Sequence, residues 1–456
     1  MQTQIFTAHK RHLGLRAPTV LAVGFALTIL VGALVLMLPV SAADGQITPF
    51  LDALFTAASA SCVTGLVTVS TAVHWSVFGK CVILLLIQIG GLGFMSVAAI
   101  ASFVLRRTIT LHERMVMSAG LNLPDGGGIV RLTRRVLFGT FIIEGAGAIL
   151  LSCRFVPHYG FPKGITMGVF HAVSAFCNAG FDLMGTPDDP FQSLIGWAKD
   201  PLVNITVMAL IVLGGLGFFV WSDVWDKHSF RRLRLHTKIV LTATAGLLLF
   251  GFGWTLLFEW SNPATLGALD TPHKLLAAAF ESVTLRTAGF NTIDLGALTG
   301  PSQAVSCLLM FIGGSPGSTA GGIKTVTAAV LVLTAISAFC GRTTVSAFGR
   351  TIVPRSIMNA VSLLMAGGVL CLVGACAIAG IEDAPFHQCL FEAVSAFGTV
   401  GVSMGLTPTL SSASRVILIA MMYMGRVGVL TLGVAVLMRR REPPRLKYPD
   451  ADVFIG

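Results

Sequence analysis

Apolar residues run along this chain in long blocks, at about 18–40, 76–105, 132–155, 200–225, 237–260, 303–340, 355–380 and 412–438. Coiled as a helix, each block can cross a hydrocarbon layer of about 30 Å at about 1.5 Å per residue. The blocks fall into pairs. Between the members of each pair lies a shorter, semi-apolar stretch, too brief to span. The pattern predicts eight membrane-crossing helices and four short re-entrant segments. The first block, Val20 to Leu38, follows Lys10, Arg11 and Arg16 and precedes Val40-Ser41-Ala42, which imitates a signal peptide. It is too long for a signal core, so it predicts an uncleaved first helix.

The short stretches are copies of one another. They read Phe55-Thr-Ala-Ala-Ser-Ala-Ser-Cys-Val-Thr-Gly65, Phe170-His-Ala-Val-Ser-Ala-Phe-Cys-Asn-Ala-Gly180, Phe280-Glu-Ser-Val-Thr-Leu-Arg-Thr-Ala-Gly289 and Phe391-Glu-Ala-Val-Ser-Ala-Phe-Gly-Thr-Val-Gly401. The closing glycines are 115, 109 and 112 residues apart, so four periods fill the chain. A second glycine motif recurs in the helix that follows: Gly90-Gly-Leu-Gly93, Gly214-Gly-Leu-Gly217, Gly313-Gly-Ser-Pro-Gly317 and Gly425-Arg-Val-Gly428. The predicted units are 1–105, 106–226, 227–341 and 342–438, with a tail at 439–456.

Composition narrows the class. Only 11% of the 456 residues are charged, against about 25% in soluble domains, too few to cover a folded surface in water. The nine cysteines are scattered singly, which excludes a disulfide framework or a zinc site. The net charge of +10 would suit a nucleic-acid binder, but its distribution argues otherwise. The N-terminus, the 106–135, 227–238 and 342–355 loops and the tail hold 22 of the 31 Lys and Arg, and none lies between Arg16 and Lys80. The positive-inside rule puts these regions and both termini in the cytoplasm and all four short segments on the outer side. Asp182, Asp188, Asp189, Asp200, Glu382 and Asp383 then lie outside. Two spans per unit insert every copy in the same direction, so parallel repeats can surround an axis; inverted-repeat carriers need an odd number. The expected fold is an all-α membrane protein, four parallel span–pore-loop–span units in pseudo-fourfold array around a central pore.

Non-helical backbone survives at membrane depth only where it lines a cavity or is buried in protein. Each short segment reads as a brief helix followed by four or five residues ending at a glycine, whose conformational freedom lets carbonyl oxygens turn toward an axis. Rings of such carbonyls can replace the water shell of a cation. Close packing between helices would explain one such glycine; four copies at a constant period favour the ion site. The run Gly313, Gly314, Ser315, Pro316, Gly317, Ser318, Thr319, Ala320, Gly321, Gly322 cannot continue a helix through the membrane and predicts a break below the filter. Arg426, mid-span, must face a cavity or a partner. Lys324 has two readings of equal weight, a part in this break or a side chain snorkelling to the inner interface. Arg286 is expected to turn from the axis toward Glu281 or Glu392, and Glu144 to hydrogen-bond a neighbouring helix.

These stretches resemble the Trk/Ktr/HKT superfamily of potassium transporters over essentially the whole chain, nearer to the KtrB membrane-subunit branch than to the TrkH branch. The resemblance rests on Cys62-Val-Thr-Gly-Leu66, Cys177-Asn-Ala-Gly-Phe181, Arg286-Thr-Ala-Gly-Phe290, Gly398-Thr-Val-Gly-Val402 and Gly313-Gly-Ser-Pro-Gly-Ser-Thr-Ala-Gly-Gly-Ile-Lys324. It implies potassium uptake across a bacterial plasma membrane and a potassium filter built from Cys62, Val63, Thr64, Gly65, Cys177, Asn178, Ala179, Gly180, Arg286, Thr287, Ala288, Gly289, Gly398, Thr399, Val400 and Gly401. It implies a gate at 313–322 with Lys324 and Arg426, Arg426 touching the gating loop and limiting flux. The tail 447–456 is similar to those that help hold a homodimer. A cytosolic nucleotide-binding subunit of KtrA type is the implied partner, for which the 106–135 and 227–238 loops are candidate docking surfaces. No cofactor is implied, sodium stays open as an activating or coupled ion, and membrane lipid is the surroundings. The competing reading is a secondary carrier of another small cation or solute, such as sodium or ammonium. An enzyme is not expected, since no HExxH, Walker A or Gly-x-Ser-x-Gly motif occurs.

Overall fold

Twenty uncharged residues without a helix-breaking interior proline form α1, Ala17–Leu36, and long apolar runs form the first helix of each later unit. The computed structural model describes residues 17–93, 129–429 and 431–433. In it α1 is followed by α2 (Phe50–Cys62) and α3 (Val77–Leu92). The second unit holds α4 (Ile129–Tyr159), α5 (Phe161–Phe176), α6 (Pro201–Gly215) and α7 (Phe218–Lys227). The third holds α8 (Leu235–Glu259), α9 (Thr271–Thr284), α10 (Gly300–Phe311) and α11 (Thr325–Phe339). A two-residue hairpin, β1 (Ser346–Ala347) against β2 (Arg350–Thr351), leads to α12 (Pro354–Ile381), α13 (Phe386–Gly398) and α14 (Ser412–Val427).

Helices α1, α4, α8 and α12 are each long and apolar enough to cross a membrane, yet only 22–39% of their apolar windows are buried. Leu27, Ile142, Leu257 and Val373 point outward. Apolar surface on this scale calls for lipid as solvent. The short helices show the opposite pattern: α2, α5, α9 and α13 are largely buried, and Phe55, Phe170, Phe280 and Phe391, which open the four copies, are at most 2% exposed. Each short helix packs on the long helix before it, and the helix that follows packs on the short helix of the next unit: α3 on α5, α6 on α9, α10 on α13. The succession closes on itself where α14 packs on α2. There Arg415 donates to the Asp52 carboxylate at 2.7 Å, which also accepts from Thr68 at 2.9 Å.

The second member of each pair breaks at its glycine motif. Helices α6 and α7 meet at 92° across Leu216-Gly217, and residues 312–324 separate α10 from α11. Helices α3 and α14 end before Gly93 and Gly428, whose φ angles are +83° and +90°. Left-handed backbone is open to glycine and strained for other residues, so the last glycine of the motif sets the break. A bend of 92° is more than a kink. The basic N-terminus, residues 94–128 and the tail 439–456, with its dimer-associated residues 447–456, lie outside the described residues.

Candidate functional site

The same backbone turn follows all four short helices. Val63, Asn178, Thr287 and Thr399 have φ of +58°, +59°, +71° and +52°, and two residues later Gly65, Gly180, Gly289 and Gly401 have +98°, +68°, +84° and +93°. Left-handed backbone is rare for non-glycine residues, above all for β-branched Val63, Thr287 and Thr399. Its recurrence at the same position in four sequences marks a geometry held by its surroundings. The turns are shorter or longer than one length suggests: Cys62 and Gly398 still belong to their helices, whereas five residues separate α9 from the end of its turn.

What holds each turn is a hydroxyl four residues after the opening phenylalanine. Ser174 donates to Phe181 O at 2.7 Å, Thr284 to Phe290 O at 2.6 Å, and Ser395 to Val402 O at 2.7 Å. Ser59 accepts from Gly65 N at 3.0 Å and Ser395 from Gly401 N at 3.2 Å. The carbonyls of these four residues also accept the amides of Thr64, Ala179, Ala288 and Val400. The pattern was present in the aligned copies as Ser, Ser, Thr, Ser, a signal that attention to the glycines alone passes over. Ser395→Ala leaves Val402 O and Gly401 N without this partner, at a cost of about 1–3 kcal/mol. Expected are a lower melting temperature and weakened ion binding by the purified protein; unaltered thermograms with and without salt would contradict the anchoring role.

The four turns meet. A Cβ built on Gly65 would lie 2.5 Å from Ala179 O, one on Gly180 2.8 Å from Ala288 O, and one on Gly289 2.7 Å from Val400 O. On Gly401 it would overlap Thr64 O, which closes the circle. The carbonyl before each glycine thus points into the space that a neighbouring glycine leaves by lacking a side chain. On one side the four glycines line a cavity of about 220 Å³ with Asp182, Asn291, Asp294 and Ser403. A larger cavity of about 540 Å³ is lined by Gly317, Ser318, Ala320, Gly322, Lys324 and Arg426. Cys177 at the second turn is buried and donates to Gln88 and Glu144 at 3.8 Å, and the Asn178 side-chain amide hydrogen-bonds Thr287 Oγ1 of the neighbouring turn at 3.3 Å.

The loop 313–322 touches the second and fourth units and reaches the first through Arg426. Ser315 N and Thr319 N donate to Gly215 O and Gly214 O, Gly317 O accepts from Phe218 N at 2.9 Å, and Thr319 Oγ1 donates to Phe176 O at 3.3 Å. Gly321 lies against Thr399 and Gly322 against Gly398. Arg426 of α14 donates to Thr319 O and to Gly90 O of α3. Lys324 Nζ donates to Ala320 O at 2.6 Å and Gly321 O at 3.3 Å, so it folds onto the loop and does not snorkel. Arg286 pairs with neither expected acid. It donates to Gly313 O at 3.1 Å and Thr325 Oγ1 at 3.0 Å. Glu281, five residues earlier, is off the 3–4 residue spacing that brings helix neighbours together. Glu392 is already occupied by Ser403, Thr407 and Met404 N.

Residues 4–443 match the family model described as "TrkH: Cation transport protein". The chain belongs to this family. It is 42% identical to Ktr system potassium uptake protein B of Bacillus subtilis, with 96% of each chain covered. It is 40% identical to the potassium/sodium uptake protein NtpJ of Enterococcus hirae, again over 96% of each. The crystal structure of the potassium transporter TrkH from Vibrio parahaemolyticus has the same fold, with a TM-score of 0.70 at 17% identity, covering 94% of this chain and 86% of that one.

Within this TrkH-family chain the buried Glu259 and Glu392 hold loops, and neither lines either cavity. Glu259 accepts from Asn262, Thr265 and Thr299 at 2.7–3.0 Å, which ties the outer connections of the third unit together. Glu392 does the same in the fourth. Glu144 accepts from Gln88 of α3 at 3.1 and 3.2 Å, the neighbouring-helix bond expected of it. Among the described residues, the cavity that the four glycines line carries two carboxylates, Asp182 and Asp294, and not one from each unit.

Proposed function

We propose that the chain conducts potassium into the bacterial cell through a pseudo-fourfold pore, with residues 62–65, 177–180, 286–289 and 398–401 as filter and 313–322, Lys324 and Arg426 as gate. The observation that carries this reading is the closed circle of four left-handed turns between two cavities. Carbonyl oxygens from four strands offer a dehydrated cation the ligands that water would otherwise supply. One glycine per unit gives a short filter with few ion sites and looser discrimination than a longer one. The four units are those proposed from the sequence, 1–105, 106–226, 227–341 and 342–438, followed by the tail. Relatives named as potassium uptake proteins support potassium as cargo, and a relative named for potassium and sodium supports sodium as an activating or coupled ion. A carrier of ammonium or another solute fits the parallel, closed arrangement less well. Rubidium uptake by a potassium-transport-deficient bacterium expressing this chain tests the assignment. Competition by potassium but not by ammonium is expected; equal competition by ammonium would favour the carrier.

The location proposed is the inner membrane, with both termini in the cytoplasm and two copies per assembly. The cytoplasmic face then includes the 227–238 loop and the hairpin before α12. Phe230 and Phe348 pack edge to face with ring centres 6.1 Å apart, and Lys238 lies 5.8 Å from each ring. This basic, aromatic face suits a regulatory subunit of KtrA type. On the outer side, burial pushes the Asp182 carboxyl up to about 6. Below that pH it carries a proton and the outer cavity loses a negative charge; above it the charge returns. Uptake at low ionic strength is therefore expected to rise by about twofold between pH 5 and 7.5, through attraction of cations. Asp182→Asn should flatten this component of the profile, and an unchanged profile in that variant would assign the rise to another group.

A further inference from the structure

We propose that Arg286 is a latch between the third filter turn and the neck of the glycine-rich loop, so that displacing the loop alters ion discrimination as well as flux. The proposal rests on the filter-and-gate reading above and adds a coupling between its two parts.

The position is set by the repeat. Three residues before the closing glycine stand Cys62, Cys177 and Gly398 in three copies, and Arg286 in the third. A guanidinium so near a cation site repels the cargo less the farther it is held from it. Arg286 is 6% exposed, and Nη2 makes its two hydrogen bonds at one place. That place is the neck of the loop. Thr325, the first residue of α11, donates from Oγ1 to Gly313 O at 3.1 Å and from N to Gly314 O at 3.0 Å. Ile323 N donates to Phe311 O at 3.3 Å, which clamps the two ends of the loop side by side. Arg286 therefore grips the point where the chain leaves α10 and the point where it enters α11.

Its neighbours leave it no substitute. Nη1 is buried without a hydrogen-bond partner, and so are both carboxylate oxygens of Glu281 among the described residues. A buried cation held by a carbonyl and a hydroxyl loses both when the neck moves, and burial makes that costly. The adjacent Thr287 is one of the left-handed residues, and a Cβ on Gly313 would lie 3.3 Å from Thr287 Cγ2. Neck and turn are thus in contact through two successive residues. The neck in place supports the turn, and by reciprocity the intact turn favours the neck in place. Contacts elsewhere, such as Arg426 on Thr319, hold the loop's crest and carry no direct connection to this turn.

The test uses the full-length chain in proteoliposomes, with rubidium and sodium uptake measured in parallel for Thr325→Val, Arg286→Gln, Arg286→Lys and the Thr325→Val/Arg286→Gln double variant. Thr325 lies outside the filter turn, and valine removes its hydroxyl at nearly constant volume. Thr325→Val is expected to raise flux and to lower rubidium-over-sodium discrimination by about tenfold, the size of one hydrogen bond to a charged group. Arg286→Gln should do the same, the double variant should add little, and Arg286→Lys should restore part of the discrimination. If Thr325→Val changes flux while discrimination stays at the parent value, or if the double variant shows the sum of the two effects, the latch is wrong. Should Arg286→Gln fail to assemble, Thr325→Val and Arg286→Lys decide alone. Gly289→Ser separates the two levels of the argument. Discrimination lost in Gly289→Ser but intact in Thr325→Val overturns the latch only, whereas intact discrimination in Gly289→Ser removes the filter reading and the latch with it.

Discussion

Gly401→Ser is expected to abolish potassium uptake, by 100-fold or more, in protein that still reaches the membrane. Gly401 has φ of +93°, and a Cβ there would overlap Thr64 O and lie 2.9 Å from Gly65 Cα. The obstructing atoms are backbone of another unit, held by Ser59 and by the α2 terminus, so they cannot turn aside as a side chain would. Left-handed strain adds about 1–2 kcal/mol. A displacement of 1 Å in a ring of carbonyl ligands is enough to spoil the coordination of a dehydrated ion. Gly405→Ser supplies the comparison: its φ is +89°, yet nothing lies within 4 Å of its Cβ. Rubidium uptake near the parent rate in Gly405→Ser and absent in Gly401→Ser would assign the defect to the ring and not to strain. Normal uptake in Gly401→Ser would mean that ions do not pass there.

Arg426→Ala is the second large effect, a rise in potassium flux of about tenfold or more. Arg426 joins Thr319 O at the crest of the loop to Gly90 O in α3 and lines the larger cavity. Its removal frees the crest and deletes a positive charge from the proposed ion path. At an effective dielectric constant of about 20, a unit charge about 8 Å away raises the energy of a monovalent cation by about 2 kcal/mol. That alone corresponds to more than tenfold in rate. The measurement is unidirectional rubidium flux in proteoliposomes at fixed protein density. Unchanged rate and unchanged ion preference would take Arg426 out of the gate.

The copies were readable because each requirement they meet is local. A phenylalanine that plugs the core, a small hydroxyl four residues on, and a glycine closing a left-handed turn each leave a residue type at a set distance. The helix breaks were half visible. Gly-Gly-Leu-Gly marks the break at Gly217, but the partner that α7 finds beyond the 92° bend, Gly317 O receiving Phe218 N, lies 99 residues away. Arg286 shows the limit most clearly. The acids of the short helices, Glu281 and Glu392, are the partners expected from the repeat pattern, yet its acceptors lie at Gly313 and Thr325, beyond α10 in the chain.

Sequence alone therefore determined the solvent, the fourfold periodicity and the glycines at which the backbone turns. All of these follow from composition and from short-range backbone sterics. The folded chain decided which groups meet: the circle of carbonyls, the closure of α14 on α2, and the attachment of one loop to the second and fourth units and, through Arg426, to the first. Such contacts depend on how separate units pack, and hydrogen-bond partners brought together by packing carry no periodic signature along the chain.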